Sequence, residues 1–214
     1  MCFHLKQKKK KAEIEEHFDA EFIEEDAYIA SDHFNGFTHP KTSVITAQEP
    51  LKIQAYYWGL LPSWTDDISF RKNTLNAKIE SIKEKPSFRD SISQRCLVLV
   101  DGFYEWQWLD SKGKSKQKYL ISKPNGEVFA LAGLWNAWTD KKTGETINTY
   151  TILTTEANEL MSIIHNSKKR MPMVLSSEEE KVWLLSGEVK WNRDIELIAR
   201  KQMEGNAPIQ ALLF

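Results

Sequence analysis

Residues 96–108 constrain the fold more than any other part of the chain. Residues 96–100 form an unbroken apolar run that contains two valines, which is typical of a buried strand. Asp101 and Gly102 then supply a turn, and the aromatic-rich residues 103–108 predict a second strand. The segment therefore predicts a β-rich centre for the fold.

Further strands are predicted on either side of this segment. Ile53, Ala55 and Tyr57 lie at alternate positions and predict a strand that ends near Trp58. Other strand-like runs occur at 118–122, 128–135 and 149–154, with Pro124, Asn125 and Gly126 as a turn between the first two.

A helix is predicted near the start of the chain. Ile14, Phe18 and Phe22 recur every four residues between charged positions, which indicates a short amphipathic helix over roughly 12–22. Residues 32–40 are predicted to form a loop.

Two more helices complete the predicted pattern. One follows the strand at 149–154, and the other has a possible capping box of Ser177 and Glu180 and ends at Gly187. Many strands with few helices predict an α+β fold, in which a curved, largely antiparallel sheet or barrel carries peripheral helices. No linker or repeat divides the chain, so we expect a single domain over residues 1–214.

Composition excludes several classes of protein. The chain is 41% hydrophobic and 28% charged with a net charge of −1, as in globular proteins. No secretory signal or apolar run of about 18 residues is present, so we expect a cytoplasmic protein with no membrane contact, and nothing in the sequence demands more than a monomer. Cys2 and Cys96 give no disulfide framework, and Cys96 is predicted to be buried. No metal or nucleotide motif occurs, so no cofactor is predicted.

Cys2 is the most informative residue for chemistry, because it directly follows Met1. Aminopeptidases remove an initiator methionine when the next residue is small, which would leave an α-amine and a thiol on neighbouring carbons. An aldehyde reacts with that pair by imine formation and thiolate attack, which closes a five-membered thiazolidine ring. The ordinary pKa values, about 7.7–8.0 for the amine and about 8.5 for the thiol, leave both nucleophiles available near neutrality.

Other candidate residues have a structural and a functional interpretation. Glu105 lies among aromatic residues on a strand and is either an exposed edge position or a buried carboxylate with a raised pKa. Asn76 is either a turn residue or a group that orients a ligand, and His165 either ends a helix or donates protons. Trp58 and Trp64 either fill the core or present rings to nucleic-acid bases.

Together these motifs resemble the SRAP family, whose members are SOS-response-associated peptidase domain proteins, also described as abasic-site-processing proteins. The resemblance runs nearly end to end and in one order. It rests on Met1-Cys2, Tyr57-Trp58-Gly59 with Pro62 and Trp64, Asn76-Ala77-Lys78 with Glu80, Asp101-Gly102-Phe103-Tyr104-Glu105-Trp106, Leu131-Ala132-Gly133-Leu134-Trp135, Leu153-Thr154-Thr155, and His165 with Arg170-Met171-Pro172.

The resemblance implies covalent capture of abasic sites in single-stranded DNA. The processed Cys2 would supply both nucleophiles, and the thiazolidine would shield the strand from cleavage. Glu105 would hold the amine and shuttle protons, and Asn76 would orient Cys2 and the sugar. His165 would open the sugar ring or protonate a leaving oxygen. Peptidase activity toward the chain's own start and lyase-like activity are implied as well.

The resemblance also implies a set of DNA-binding residues. Lys78 and Arg170 would contact the phosphates on either side of the lesion, and Thr154 is assigned to the same surface. Trp58 and Trp64 would wedge or stack against the flanking bases. The implied partner is single-stranded DNA with an abasic site.

This chain departs from the family pattern at three places. The family usually begins Met-Cys-Gly-Arg, so His4 would replace a basic phosphate contact with a weaker one that depends on pH. Lys78 stands where arginine is usual, which removes bidentate phosphate geometry. Residues 166–169 lengthen the spacing between His165 and Arg170.

Two other functions fit parts of the sequence. An N-terminal Cys2 could act as a hydrolase nucleophile with its own amine as base. Alternatively, the aromatic residues and lysines could form a single-stranded nucleic-acid binding module without covalent chemistry.

Overall fold

The fold is the predicted α+β class, with a mostly β core. The computed structural model describes residues 2–23, 28–189 and 195–203. The strands are β1 His4–Gln7, β2 Glu21–Phe22, β3 Ser31–Asn35, β4 Lys41–Thr46, β5 Lys52–Trp58, β6 Asn76–Lys78, β7 Arg95–Val100, β8 Gly102–Trp108, β9 Lys116–Ser122, β10 Phe129–Thr139, β11 Thr146–Glu156, β12 Arg170–Pro172 and β13 Ile198–Lys201. The helices are α1 Lys11–Phe18, α2 Glu159–Ile164 and α3 Ser177–Leu185, with short 3-10 helices at Gly36–Thr38, Ile68–Asn73, Ile79–Ser81 and Arg89–Ser91.

Five strands close into a barrel at the centre of the larger sheet. Strands β5, β4, β7, β10 and β11 pair in that order, each antiparallel to the next. An odd number of strands cannot close with antiparallel pairs alone, so one pair must be parallel. That pair is β11 with β5, where Tyr150 lies opposite Trp58. Past the barrel, the end of β11 pairs with β6 on one edge and with β12 on the other, with Thr154 opposite both Lys78 and Pro172, and both strands carry candidate site residues.

A second sheet covers one side of the barrel, with the strand order β13-β9-β8-β1-β3. The turn at Asp101 carries the chain from the barrel strand β7 into β8 of this second sheet. The Asp101 carboxylate is buried and accepts hydrogen bonds from the backbone N–H groups of Lys8 and Lys9 and from the Lys6 Nζ. This carboxylate therefore fastens the segment after β1, and with it the start of the chain, to the core.

The apolar run of β7 is buried on both faces, which explains why it shows no alternation. Cys96 and Val98 lie in a core cluster that also contains Cys2 and residues of the second sheet. Leu97 and Leu99 lie in a second cluster beneath α1 and α3. The prediction that Cys96 is a buried apolar residue is confirmed.

Two sequence predictions near the start of the chain are wrong. The helix predicted over 12–22 ends at Phe18, because Asp19 adopts a left-handed conformation with φ 49° and Phe22 pairs with β5 as part of β2. The loop predicted over 32–40 contains β3, which pairs antiparallel with β1. In both places an unpaired strand edge elsewhere in the fold determines the local conformation, which local pattern does not reveal.

Two further predictions have the right element but the wrong detail. The strand ending at Trp58 buries Tyr56 and Trp58, rather than the face with Ala55 and Tyr57. The capping box of α3 lies one residue earlier than predicted, with Ser176 and Glu179 as its partners. Gly187 follows the helix with φ 73°, as expected for its end.

No helix in the described ranges is long and apolar enough to cross a membrane. The expectation of a single domain over residues 1–214 stays a prediction.

Candidate active site

Cys2 lies fully buried where the start of the chain meets the barrel. Its Sγ is 3.9 Å from the carbonyl oxygen of His4. Burial raises the pKa of the Cys2 thiol well above its ordinary value, and the nearby charge of Glu105 raises it further. The thiol is therefore protonated in this structure and needs a base before it can act as a nucleophile.

Asn76 holds the backbone of Cys2 in place. Its Nδ2 donates a hydrogen bond of 2.8 Å to the Cys2 carbonyl oxygen. The parallel pairing of β6 with β11, where Asn76 lies opposite Ile152, fixes the position of the amide. The Asn76 Oδ1 is buried and has no hydrogen-bond partner in the part of the chain that the structure describes. Buried acceptors are almost always satisfied, so this oxygen is poised for a donor from another molecule or from a processed chain start.

Glu105 is buried rather than an exposed edge residue, with 4% of its surface accessible. Burial raises the pKa of its carboxyl group from the ordinary value of 4.5 to about 7. Strand alternation places Glu105 and Gln107 on one face of β8, and the Gln107 amide donates to the Ile163 carbonyl oxygen of α2 at 3.2 Å. The carboxyl group thus faces α2 and acts electrostatically on Cys2.

His165 ends α2 and is also buried, with 7% of its surface accessible. Burial lowers the pKa of its imidazole to about 4, so the ring is neutral at pH 7. Its Nδ1 lies 2.7 Å from the Arg170 carbonyl oxygen and 3.3 Å from the Arg170 backbone nitrogen. The shorter contact favours the tautomer with the proton on Nδ1 and the basic lone pair on Nε2. This environment disfavours the imidazolium form at neutral pH, and a role of His165 as proton donor stays a prediction.

Arg170 and Thr154 are less accessible than the sequence suggests. The Arg170 guanidinium forms a two-pronged ion pair with Glu80, at 2.8 and 2.9 Å, and its side chain is 12% exposed. The Thr154 side chain is fully buried and donates to the Ala77 carbonyl oxygen at 3.3 Å. The assignment of Thr154 to the DNA surface is therefore wrong. Arg170 can bind a phosphate only if its guanidinium binds Glu80 and the phosphate together or gives up the ion pair with Glu80.

The two tryptophans of the Trp-Gly-Leu-Leu-Pro-Ser-Trp segment have opposite environments. Trp58 is fully buried, stacks on Tyr150 at 6.2 Å and donates its Nε1 proton to the Leu75 carbonyl oxygen. The prediction that Trp58 stacks on bases is wrong, because no base can reach its ring. Trp64 is 50% exposed and packs edge-on against Phe70, which leaves its ring accessible for stacking.

The structure adds a candidate that sequence reasoning missed. Phe37 is 55% exposed, and its ring lies 4.8 Å from that of Phe3, the neighbour of Cys2. A hydrogen bond from the Gly36 N–H to the Phe3 carbonyl oxygen holds the two segments together. The sequence does hold a signal for this exposed ring. Phe37 directly follows Asn35-Gly36, inside a segment that is predicted to be a loop.

The order of these residues along the chain matches a known family. The family model described as SOS response associated peptidase (SRAP) matches residues 1–210. The chain belongs to the SRAP family.

Named relatives in the SRAP family are abasic site processing proteins. The chain is 38% identical to the abasic site processing protein YoqW of Bacillus subtilis over 159 residues, which is 70% of this chain and 68% of that protein. It is 34% identical to the abasic site processing protein HMCES of Xenopus tropicalis over 169 residues, which is 68% of this chain and 49% of that protein. A crystal structure of a protein from Bacteroides thetaiotaomicron shares the fold, with a TM-score of 0.77 and 32% identity over 94% of this chain and 91% of that one.

The lengthened segment between His165 and Arg170 folds into a compact turn. The N–H of Lys169, which has φ 49°, donates to the His165 carbonyl oxygen and closes a tight turn. Asn166 exchanges two hydrogen bonds with the backbone of Trp108, at 2.9 and 3.0 Å. The inserted residues thus form an anchored turn, and Arg170 returns to contact His165.

The other two departures from the SRAP pattern concern the predicted phosphate contacts, and only His4 changes the charge. His4 lies in a hydrogen bond of 2.8 Å with His33, and burial together with the charges of His33 and Lys118 lowers its pKa to about 4. His4 is therefore neutral at pH 7 and does not replace a cation there. Lys78 is exposed two residues after Asn76, and its contact with phosphate stays a prediction.

Proposed function

We propose that this chain captures abasic sites in single-stranded DNA as a thiazolidine on Cys2. The observation that carries the proposal is the placement of Cys2. Its carbonyl oxygen accepts a hydrogen bond of 2.8 Å from the Asn76 amide, and the charge of the buried Glu105 raises the pKa of its thiol. The SRAP match and the names of the relatives support the same substrate.

The reaction begins with the removal of Met1 by hydrolysis, through self-cleavage or an aminopeptidase. This step gives Cys2 a primary amine, and the Oδ1 of Asn76, whose Nδ2 already donates to the Cys2 carbonyl oxygen, is the acceptor that we assign to it. His165 Nε2, as the basic nitrogen of a neutral imidazole, accepts the proton of the anomeric hydroxyl group. The bond between the anomeric carbon and the ring oxygen then breaks, the departing ring oxygen takes up a proton from water, and the sugar is left as the open aldehyde.

Capture then proceeds in two bond-forming steps. The Cys2 amine adds to the aldehyde carbon and one water leaves, which forms an imine. The Sγ of Cys2 attacks the imine carbon, its proton passes to the Glu105 carboxylate, and the ring nitrogen takes up a proton in return. A carboxyl group with a pKa of about 7 both accepts and returns protons near neutrality. The saturated ring removes the imine that would otherwise promote strand cleavage.

Recognition in this proposal does not depend on base identity, because the lesion has no base. Trp64 and Phe37 provide exposed rings on which flanking bases can stack, and Lys78 provides charge for a phosphate.

The deciding experiment mixes the purified protein with a single-stranded oligonucleotide that carries one abasic site and analyses the products on a denaturing gel. Intact mass spectrometry first verifies that Met1 is absent, then weighs the product, which should equal protein plus oligonucleotide minus one water. Cys2→Ala should give no heat-stable band. Cys2→Ser keeps the amine and should give a stable band only when borohydride reduces the imine.

A band that forms equally with Cys2→Ala would assign the cross-link to another nucleophile and end the proposal. The absence of any band, with retained affinity for undamaged strands, would instead favour a non-covalent binding module.

A further inference from the structure

We propose that the outer face of the second sheet binds the single-stranded DNA arm that leaves the lesion. This aromatic–lysine track consists of His4, Trp106, Trp108, Lys116 and Lys118. The inference rests on the proposed function, since it assumes that Cys2 holds the lesion, and it assigns a surface to the undamaged nucleotides beyond it.

Strand pairing places aromatic rings and lysines opposite each other on this face. In the antiparallel pair of β8 and β9, Trp106 faces Lys118 and Trp108 faces Lys116. The Lys118 Nζ lies 5.5 Å from the centre of the Trp106 ring, and the Lys116 Nζ lies 5.6 Å from that of Trp108. Cation–π contacts of this kind hold both lysines over the sheet rather than in bulk water.

The track is continuous with the candidate active site. The ring of His4, two residues after Cys2, contacts the edge of Trp106 with a centre-to-centre distance of 4.6 Å. Residues two apart on a strand lie about 6.8 Å apart, a step that a single unstacked nucleotide spans. Because Glu105 and Trp106 lie on opposite faces of β8, a DNA strand that leaves Cys2 must pass His4, at the start of β1, to reach the outer face. There it meets Trp106 first and the Trp108–Lys116 pair next.

The charge of the track fits a polyanion. At the edge of the sheet a groove of about 460 Å³ is lined by four lysines and four uncharged residues: Lys114, Ser115, Lys116, Gln117, Lys118, Lys201, Gln202 and Met203. Across the described ranges none of these lysines forms an ion pair. Partial burial lowers the pKa of Lys118, because no anion offsets its lost hydration, and a phosphate would supply that anion.

The loop between β8 and β9 holds the track in shape. The Asp110 carboxylate accepts backbone hydrogen bonds from Lys112 and Lys114 at 2.8 and 3.3 Å. Gly113, with φ 64°, lies so close to the Trp108 ring that an added Cβ would come within 2.6 Å of it. Trp108 is thereby fixed as a support for Lys116, which leaves Trp106 as the ring that can stack on a base.

Aromatic rings interleaved with lysines favour single-stranded nucleic acid over an acidic peptide, which offers no bases to stack.

The test compares oligonucleotides whose arms beyond the abasic site are short or long, on either side of the lesion. The test variant is Lys116→Gln with Lys118→Gln, and the control is Lys141→Gln with Lys142→Gln on the β10–β11 turn. Affinity is measured by fluorescence anisotropy on a Cys2→Ala background at several salt concentrations, so that it does not depend on cross-linking.

We expect the test variant to lose about tenfold in affinity for one long arm, and its salt slope to fall by about 0.7 for each phosphate that the two lysines no longer neutralise. The control and all short-armed oligonucleotides should be unaffected. Trp106→Leu should weaken the same arm without changing the salt slope. The proposal is overturned by equal affinities of test and control variants, by a loss that is the same on short arms, or by equal competition from an acidic peptide of matched charge.

Failure of the proposed function would look different. If native protein gives no cross-link with any oligonucleotide, capture by Cys2 fails, whereas an arm-specific loss of affinity would still locate a DNA-binding track.

Discussion

The Asn76 amide nitrogen donates to the Cys2 carbonyl oxygen over 2.8 Å and so couples the start of the chain to the barrel. The other contacts of the described residues ahead of β1 include burial of the Cys2 thiol, the hydrogen bond from the Gly36 N–H to the Phe3 carbonyl oxygen, and the packing of Phe3 on Phe37. The parallel pairing of β6 with β11 positions Asn76 itself. The position of Cys2 is therefore set by the strand pairing that holds Asn76.

Asn76→Ala should slow cross-linking by about 10- to 100-fold, because small misplacements of a reacting group have costs of this size. Initial rates with excess abasic-site oligonucleotide measure the effect. Asn125→Ala, on an exposed turn, is the matched control and should react at the native rate. An unchanged rate in Asn76→Ala would mean that burial alone positions Cys2.

Glu105→Gln should remove one limb of the pH–rate profile. The native carboxyl group, with a pKa of about 7, is mostly protonated at pH 6 and mostly ionised at pH 8, so the rate of the step that needs the carboxylate should rise across this interval. The variant should keep only the rise that belongs to the α-amine, whose ordinary pKa is about 7.7–8.0.

Glu180→Gln is the control for that experiment. Burial also raises the pKa of Glu180 to about 7, but this residue lies in α3 and accepts from the Ala130 N–H, in the core cluster that does not contain Cys2. Its variant should keep the native profile. Identical profiles for native protein and Glu105→Gln would exclude a proton-transfer role.

The same two carboxyl groups make stability depend on pH. A carboxyl group whose pKa rises from 4.5 to about 7 on folding keeps its proton in the folded state after the unfolded state has lost it. Stability is therefore full below about pH 4.5, falls as pH rises toward 7, and changes little above that.

Glu105→Gln should accordingly raise the melting temperature at pH 8 and leave it nearly unchanged at pH 4. The upper limit of the gain is on the order of 3 kcal/mol, because burial raises the carboxyl pKa from 4.5 to about 7. Calorimetry at both pH values measures it. A gain of equal size at pH 4 would show that packing rather than charge is responsible. A stabilised but inactive variant would place Glu105 among residues whose strain serves function.

Local pattern was sufficient where a segment determines its own environment. The unbroken run in β7 predicted burial on both faces, and Cys96 and Val98 on one side with Leu97 and Leu99 on the other bear this out. The aromatic-rich residues 103–108 also predicted a strand, and the structure has β8 there, with Glu105 and Trp106 on opposite faces.

Tertiary pairing decided the rest. Asp101 looks like an ordinary turn residue, yet its carboxylate is buried and accepts the backbone N–H groups of Lys8 and Lys9. Sequence could not assign β3, because its edge pairing with β1 needs a partner far away in the chain. Arg170 illustrates the same limit, since nothing in its neighbourhood of the sequence indicates the ion pair with Glu80.

Trp58 and Trp64 give the sharpest contrast between two residues of one motif, because sequence treats them alike and the structure separates them. Trp58→Ala should destabilise the fold by roughly 3–5 kcal/mol, as expected for a fully buried ring whose Nε1–H is satisfied. Trp64→Ala removes a half-exposed ring and should change stability by no more than about 0.5 kcal/mol.

Affinity should show the opposite order. Stacking on an aromatic ring contributes about 1–3 kcal/mol per base, so Trp64→Ala should weaken binding of single-stranded DNA by about tenfold. Trp64→Phe, which keeps a stacking surface, should recover most of that loss. Denaturant unfolding and anisotropy titrations on the same preparations separate the two effects. Native affinity in Trp64→Ala would remove this ring from the DNA path and leave Phe37 as the exposed aromatic residue beside Cys2.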